Sequence, residues 1–468
     1  MSNPEICWMS VIEMVEAIKT KMLSPVEIMD ALLSRIERLN PKVNAYCLLL
    51  AESAMQQAKE AETMVMTGME LGPLHGVPTS IKDMIFTKGL PTTTGSKVYE
   101  DFVPQQDAVV VERVKAAGAI IIGKTNVPEF GGGFDGITDN LLFGLTRNPW
   151  NLECTTGGSS GGAAAQVAAG IGPLAIGSDR AGSIRIPCSF CGIFGFKPSF
   201  GRVPQYPTFP GWQPLSATGP ITRTVKDAAL VMEVIAGRDD RDRWSLPDTG
   251  LRYLPFLGTD LKGLKIAWSE NLGYPTTEPE VLKITEAAAK TFGTLGATVE
   301  PARPEVKSPW HAFATVAGVS LASRLQDNWD EWRDMVMPHV VRSFERNKDR
   351  LAIEYGKAEL ELMEYYNGLQ PFFEKYDLVL TPTVAMPAFE IAAVIAGDKK
   401  LPNHWGQYTY PFAITGQPAS SVPCGWTDAG LPVGLQIIGR RFDDVTVLRA
   451  SAAFEQASPW TDRRPPLD

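Results

Sequence analysis

The chain has 468 residues, 44% of them hydrophobic and 21% charged, enough to bury a large core and, by length alone, to form two or three domains. A net charge of -9 excludes the basic footprint that nucleic-acid phosphates require. No apolar run reaches the ~18 residues that span a bilayer, so neither a nucleic acid nor a membrane is an expected partner.

The N-terminus, MSNPEICWMS, has neither the basic nor the apolar region of a secretory leader. Six cysteines spread along the chain do not make a disulfide scaffold, and a reduced, cytoplasmic protein is expected. Residues 10–63 read as helices. Ser10-x-x-Glu13 and Ser24-Pro25-Val26-Glu27 both fit a capping box, and the apolar spacing of Val26, Ile28, Leu32, Leu33 and Ile36 predicts a helix ending before Pro41. From about residue 71 short β-rich runs take over: GVPTSIKD, AGAIIIGKTN (117–126), GPLAIGSD (172–179), LKIAWS (264–269), YDLVLTPT (376–383) and LPVGLQIIG (431–439). Helical stretches such as DAVVVERVKAAG and TVKDAALVMEVIAG lie between them. The alternation predicts an α/β fold with helices on both faces of a sheet, and with no linker or repeat visible, residues 1–468 read as one domain.

The chemistry is expected near TTGGSSGG, Thr155–Gly162. This glycine turn is not a P-loop, because Ala163 and Ala164 follow Gly162 where Lys-Ser/Thr is required, and its spacing is not that of a dinucleotide fingerprint. A histidine-based serine hydrolase is also disfavoured. The four histidines, His75, His311, His339 and His404, lie in no recognisable motif, and His75 reads as a structural hydrogen-bonding residue. Cys188 and Cys191 form a lone CxxC, which reads as two buried thiols; no metal or other cofactor is expected. A neutral lysine can replace histidine as base if burial lowers its pKa from the free value near ~10.4. Lys82, ending the apolar run GVPTSIKD, fits that requirement.

GVPTSIKD, TTGGSSGGAAAQVAAG, GSDRAGSIRIPCSFCGIFGFKPSFGRVP, YDLVLTPT and ITGQPASSVPCGWTDAGLPVGLQIIGR together resemble the amidase signature family, in family order and spacing from about residue 25 to 457. The resemblance implies a mixed central sheet between helical layers, with a helical layer over 1–70, a signature core over 71–237, and a C-terminal part over 238–468 that completes the same sheet and pocket. It implies a Ser–cis-Ser–Lys triad in which Ser183 is the nucleophile, Ser159 (after a cis peptide) the bridging serine, and Lys82 the base. Backbone N–H groups of the turn Arg180-Ala181-Gly182-Ser183 would form the oxyanion hole, while Asp179 and Arg185 brace the loop and Ser160 supports Ser159. The turn departs from the family pattern at Arg180-Ala181, and Thr156 stands where proline is common, which puts the shape of the pocket in question.

The reaction so implied is hydrolysis of a carboxylic amide through an acyl-enzyme on Ser183, with esters and carbamates as chemically close substrates. Phe134 in GGGFDG, and Tyr206, Phe209 and Trp212 in VPQYPTFPGWQP, are candidate pocket walls that suit an aryl or alkyl amide. The partner is then a small-molecule amide, with a homodimer as the assembly considered. Two alternatives stand beside this reading. One is the amidase subunit of a glutamine-dependent tRNA amidotransferase, disfavoured by Arg185-Ile186-Pro187 and by the 203–214 loop, and the other is a non-catalytic binding protein on the same fold.

Overall fold

The computed structural model describes residues 3–132, 135–209, 216–258, 260–395 and 405–467. Eleven strands drawn from both halves of the chain form one mixed sheet. In chain order they are β1 Tyr46–Leu49, β2 Pro78–Lys82, β3 Ile120–Thr125, β4 Leu174–Asp179, β5 Phe194–Lys197, β6 Ala217–Thr222, β7 Lys265–Trp268, β8 Thr298–Pro301, β9 Leu378–Pro382, β10 Ala419–Trp426 and β11 Pro432–Gly439. The spatial order is β1-β3-β2-β4-β6-β5-β10-β11-β9-β7-β8. β2 pairs in parallel with both β3 and β4, so it lies inside the sheet. Its five residues are all buried, which is why PTSIK carries no polar-out alternation and why Lys82 ends up away from water.

Helices cover both faces. A Cβ on Gly434 of β11 would meet Ser189 of helix Arg185–Cys191, whereas one on Gly439 would meet Val447 of helix Asp444–Ala457. The two glycines are five residues apart, an odd interval, so they face opposite sides of the pleat. On the Val447 side the core also takes in Val225, Ala228 and Met232 of helix Val225–Ile235, and Ala289 and Phe292 of helix Pro279–Thr294. The alanines of Gly161–Ala168 pack with Ile184 and Cys188. Among the described residues, no helix is long and apolar enough to cross a membrane.

Every strand expected from the β-rich runs forms, trimmed by up to three residues at either end. Five more join the sheet without a clear sequence signal, namely β1, β5, β6, β8 and β10. β1 corrects the picture of residues 10–63 as helices alone, because Tyr46–Leu49 pairs antiparallel with β3 at the sheet edge. Both capping boxes form, at Ser10/Glu13 and Ser24/Glu27. The second helix runs to Val43, through Pro41, instead of stopping before it. Pro41 sits in the last turn, and the end is closed by Asn44 in a left-handed conformation, its N–H donating to the Asn40 carbonyl at 2.7 Å. His75 Nε2 lies 3.0 Å from the Ala61 carbonyl, a structural contact to helix Ala51–Met66.

Helix Asp444–Ala457 also carries a titratable tie. The Glu455 carboxylate accepts the Val225 N–H, and burial pushes its pKa up to about 7, with the neighbouring Asp227 adding to the rise. The fold therefore prefers the protonated carboxyl. Its contribution is complete below the ordinary carboxylate range near ~4.3 and is lost as pH rises through about 7. Glu455→Gln is expected to raise the melting temperature at pH 8 and to change it little at pH 4, as thermal denaturation at the two pH values will show.

Candidate active site

The glycine turn and strand β2 meet in a space that admits almost no side-chain volume. Gly161 and Gly162 open the helix Gly161–Ala168. A Cβ on Gly161 would lie 2.2 Å from Thr138 Oγ1, and one on Gly162 would lie 2.4 Å from the Ala45 carbonyl oxygen and 2.5 Å from the Asn126 nitrogen. Glycine is required there by close approach. Gly157 adopts a φ of +71°, and the Gly158–Ser159 peptide is cis, as the resemblance implied. Thr138 Oγ1 donates to the Gly157 carbonyl at 2.7 Å, and the Gly157 N–H donates to Thr155 Oγ1 at 2.9 Å, fixing the turn from both ends.

Ser159 is thereby presented to Lys82. Lys82 Nζ lies 2.7 Å from Ser159 Oγ and donates to the Ser178 carbonyl at 3.2 Å. Lys82 is fully buried, and burial lowers its pKa to about 7 against an opposing pull from Asp179. At neutral pH a substantial fraction of the side chain is therefore an uncharged amine. Ser160 Oγ donates to the same Ser178 carbonyl at 3.2 Å, and the Ser160 N–H donates to the Ser183 carbonyl at 3.0 Å. That last bond ties the turn bearing Ser159 to the turn bearing Ser183, whose side chain keeps partial access to solvent.

The second turn is organised by Asp179. Its carboxylate pairs with the Arg185 guanidinium through Nε at 2.9 Å and Nη2 at 2.8 Å, both side chains fully buried. It also accepts the N–H groups of Gly182 at 2.7 Å and Ile184 at 3.2 Å. Burial works to raise the Asp179 pKa, but the charge and hydrogen bonds of Arg185, with Lys197 and the Gly182 N–H, overcome it and hold the carboxyl at about 2. This geometry corrects one expectation. The Gly182 N–H, expected among the oxyanion donors, is instead committed to Asp179, because a carboxylate at the start of the turn captures the nearest amide. The Ala181 and Ser183 N–H groups have no acceptor among the described residues.

Two residues that sequence reasoning missed complete the brace. Gln436 Oε1 accepts from Arg185 Nη1 at 2.6 Å, and Thr409 Oγ1 donates to the Ala181 carbonyl at 2.7 Å. Gln436 left a readable signal, a lone polar residue in the apolar run LPVGLQIIG. Thr409, in GQYTYPF, left none. Gly182 needs its missing side chain, since at φ +122° a Cβ would sit 2.2 Å from Thr409 Oγ1. Arg180 is largely buried, which lowers its pKa to about 10, with Tyr355 opposing the shift. Cys188 and Cys191 are free thiols, buried in helix Arg185–Cys191.

The expected pocket walls divide. Phe134 and Trp212 lie outside the described residues. Phe209 is buried in an aromatic cluster with Phe86 and Phe102, at ring-centroid distances of 4.8 and 5.5 Å. It also lines a cleft with Met84, Ile85, Val110 and Ser178, the residue whose carbonyl holds Lys82. Tyr206 is not part of that wall; its half-buried ring lies under the Arg241 guanidinium, 5.7 Å away.

This fold and site define an α/β enzyme built around two serine turns and a buried lysine. The chain belongs to the amidase signature family, whose Amidase profile matches residues 27–448, and it is a hydrolase of carbon–nitrogen amide bonds. It is 38% identical over 474 residues to an acylamidase of Rhodococcus erythropolis, covering 99% of this chain and 98% of that one. It is also 38% identical over 489 residues to a glutamyl-tRNA(Gln) amidotransferase subunit of Carboxydothermus hydrogenoformans, covering 99% and 100%. The structure of a bacterial aryl acylamidase of the same family superposes with a TM-score of 0.90, at 35% identity and 97% coverage of each chain.

Asp179 supplies the test of this scaffold. Asp179→Asn leaves Arg185 buried without its carboxylate, a change that typically costs about 3–5 kcal/mol. The variant is expected to melt well below the wild type, and equilibrium denaturation measures the loss.

Proposed function

We propose that Ser183 is the nucleophile, Ser159 the proton relay and Lys82 the general base of an acyl-amide hydrolase. The observation that carries this reading is the buried 2.7 Å contact between Lys82 Nζ and Ser159 Oγ, with the lysine pKa lowered to about 7. Neutral Lys82 accepts the Ser159 hydroxyl proton while Ser159 Oγ takes that of Ser183, and Ser183 Oγ attacks the amide carbonyl. The developing oxyanion is met by the Ala181 and Ser183 N–H groups, donors of the kind whose loss costs ~10²–10³ in rate. Lys82 then returns its proton through Ser159 to the leaving nitrogen, and water hydrolyses the Ser183 acyl ester along the same relay. Ser160, Asp179 and Arg185 act by holding the two turns.

Aryl or alkyl amides suit the substrate side best. The Rhodococcus relative is an acylamidase, the structural neighbour is an aryl acylamidase, and the cleft beside Ser178 has Met84, Ile85, Val110 and Phe209 in its wall beside the polar Thr208 and Thr218. The alternative, a component of a tRNA amidotransferase, is favoured by the full-length match to the Carboxydothermus protein and opposed by Arg185-Ile186-Pro187 after the nucleophile turn. Comparing turnover of aryl anilides, aliphatic amides and glutamine by the purified chain separates the two. Glutamine as the preferred substrate would favour the amidotransferase component.

Ser183→Ala is expected to lower kcat for an anilide by on the order of 10⁴–10⁶-fold with the fold intact; near-normal turnover overturns the assignment. The base is tested by pH. Protonation removes it, so kcat/KM is expected to fall as pH drops through about 7 and to level off above it. Lys82→Arg is expected to lose activity at every pH, because a guanidinium does not deprotonate. An unshifted acid limb with most of the rate in Lys82→Arg rules lysine out as the base.

A further inference from the structure

Helix Ala352–Lys375 has two apolar faces. One is buried: Ala358 and Leu362 pack in a cluster that reaches Ala181 of the second turn, while Tyr365, Leu369 and Phe373 join a neighbouring cluster. The other faces water. Ile353 is 63% exposed, Leu360 56% and Met363 52%, and no atom lies within 4 Å of where a Cβ on Gly356 would stand. Ile353, Gly356, Leu360, Met363 and Asn367 follow one another at intervals of three, four, three and four residues. This is the a/d spacing of a helix–helix seam. The buried residues occupy the opposite side of the heptad, so the stripe is a second surface and not an edge of the core.

We propose that this outer face is a self-association surface, paired antiparallel with the same helix of a second copy. The charges beside the stripe choose that occupant. Seating Leu360 against Met363 of the second copy puts Gly356 against Asn367, and the two-fold axis repeats both layers. The flanking positions then bring Lys357 opposite Glu364 of the second copy, twice. They set Glu359 beside Tyr366 of the second copy instead of beside another carboxylate. Lys357 and Glu364 are both exposed and take part in no ion pair among the described residues. Gly356 leaves room for the two helices to approach closely. Four of the five stripe positions pair with one another in this register, a small interface, so the association is of the weak, concentration-dependent kind.

Sedimentation equilibrium on the full chain tests the proposal. The wild type is expected to shift from monomer towards dimer as its concentration rises over about 1–100 µM. Leu360→Glu is expected to weaken dimerisation at least tenfold, and Lys357→Glu to weaken it by placing like charges opposite each other. Combining Lys357→Glu with Glu364→Lys is expected to restore dimerisation, because opposite charges face each other again. All three substitutions are on solvent-exposed positions, and circular dichroism checks that each variant folds. A wild type that stays monomeric throughout, a dimer indifferent to Leu360→Glu or Lys357→Glu, or a charge exchange that fails to restore it overturns the proposal. So does flotation of the wild type with phosphatidylcholine–phosphatidylglycerol vesicles that is lost in Leu360→Glu, which assigns the stripe to a lipid surface.

Discussion

The site depends on keeping water away from one amine. Lysine serves as a base near neutrality only when its charged form is denied solvation, and Lys82, the proposed base, meets that condition by ending an interior strand whose every residue is buried. The architecture around it follows from that constraint. β2 must have strands on both sides, and both it and its neighbours must be covered by helices. The helix beginning at Gly161 must then approach so closely that a methyl group at Gly161 or Gly162 would collide with Thr138, Ala45 or Asn126. The density of glycines in TTGGSSGG is what allows a hydroxyl to reach an amine that water does not.

Asp179 couples that amine to the second turn. Its charge holds Arg185 and, through Gly182 and Ile184, the backbone around Ser183, while its field works against the desolvation of Lys82. A carboxylate nearer to Lys82 would keep the lysine protonated and useless as a base. A carboxylate already saturated by a bidentate arginine and three amides shapes the turn and shifts the lysine only in part. The same commitment leaves the Gly182 amide donating to Asp179, while the Ala181 and Ser183 amides remain for the proposed oxyanion role.

Much of this was legible in the sequence, for uneven reasons. Strands such as AGAIIIGKTN and LPVGLQIIG announce themselves because interior strands are continuous apolar runs. Phe194–Lys197 and Ala217–Thr222 do not, since FGFK and ATGPIT are short and broken by glycine or proline; pairing with neighbours makes them strands. Tyr46–Leu49 was hidden between two strong helices. At the site, Lys82 was readable from the chemistry a neutral base requires, whereas Ser159 and Asp179 were readable through the resemblance to the amidase signature family. Thr409 was not, since its role depends on the fold bringing residue 409 against residue 181. Tyr206 and Phe209 looked alike as aromatics of one loop, and only their tertiary neighbours separate them.

The three buried lysines of this sheet show how the proposed base differs from the other two. Lys197, at the end of β5, has its pKa lowered to about 7 by burial and by Arg185, as low as that of Lys82. Yet among the described residues its Nζ hydrogen-bonds only to the Pro198 carbonyl, at 3.0 Å, an acceptor with no proton to give. Lys124, at β3, is also shifted down by burial, but Asp83 lies 3.3 Å away and Thr92 Oγ1 2.8 Å away, so its charge is balanced and its role is to pin the end of β2. Lys82 alone of the three combines a lowered pKa with a hydroxyl partner on a turn tied to Ser183. A depressed pKa creates an available lone pair. The proposed role as base needs more than that: a transferable proton on the amine and no carboxylate beside it, and of the three lysines Lys82, with the cis-linked Ser159, meets both conditions.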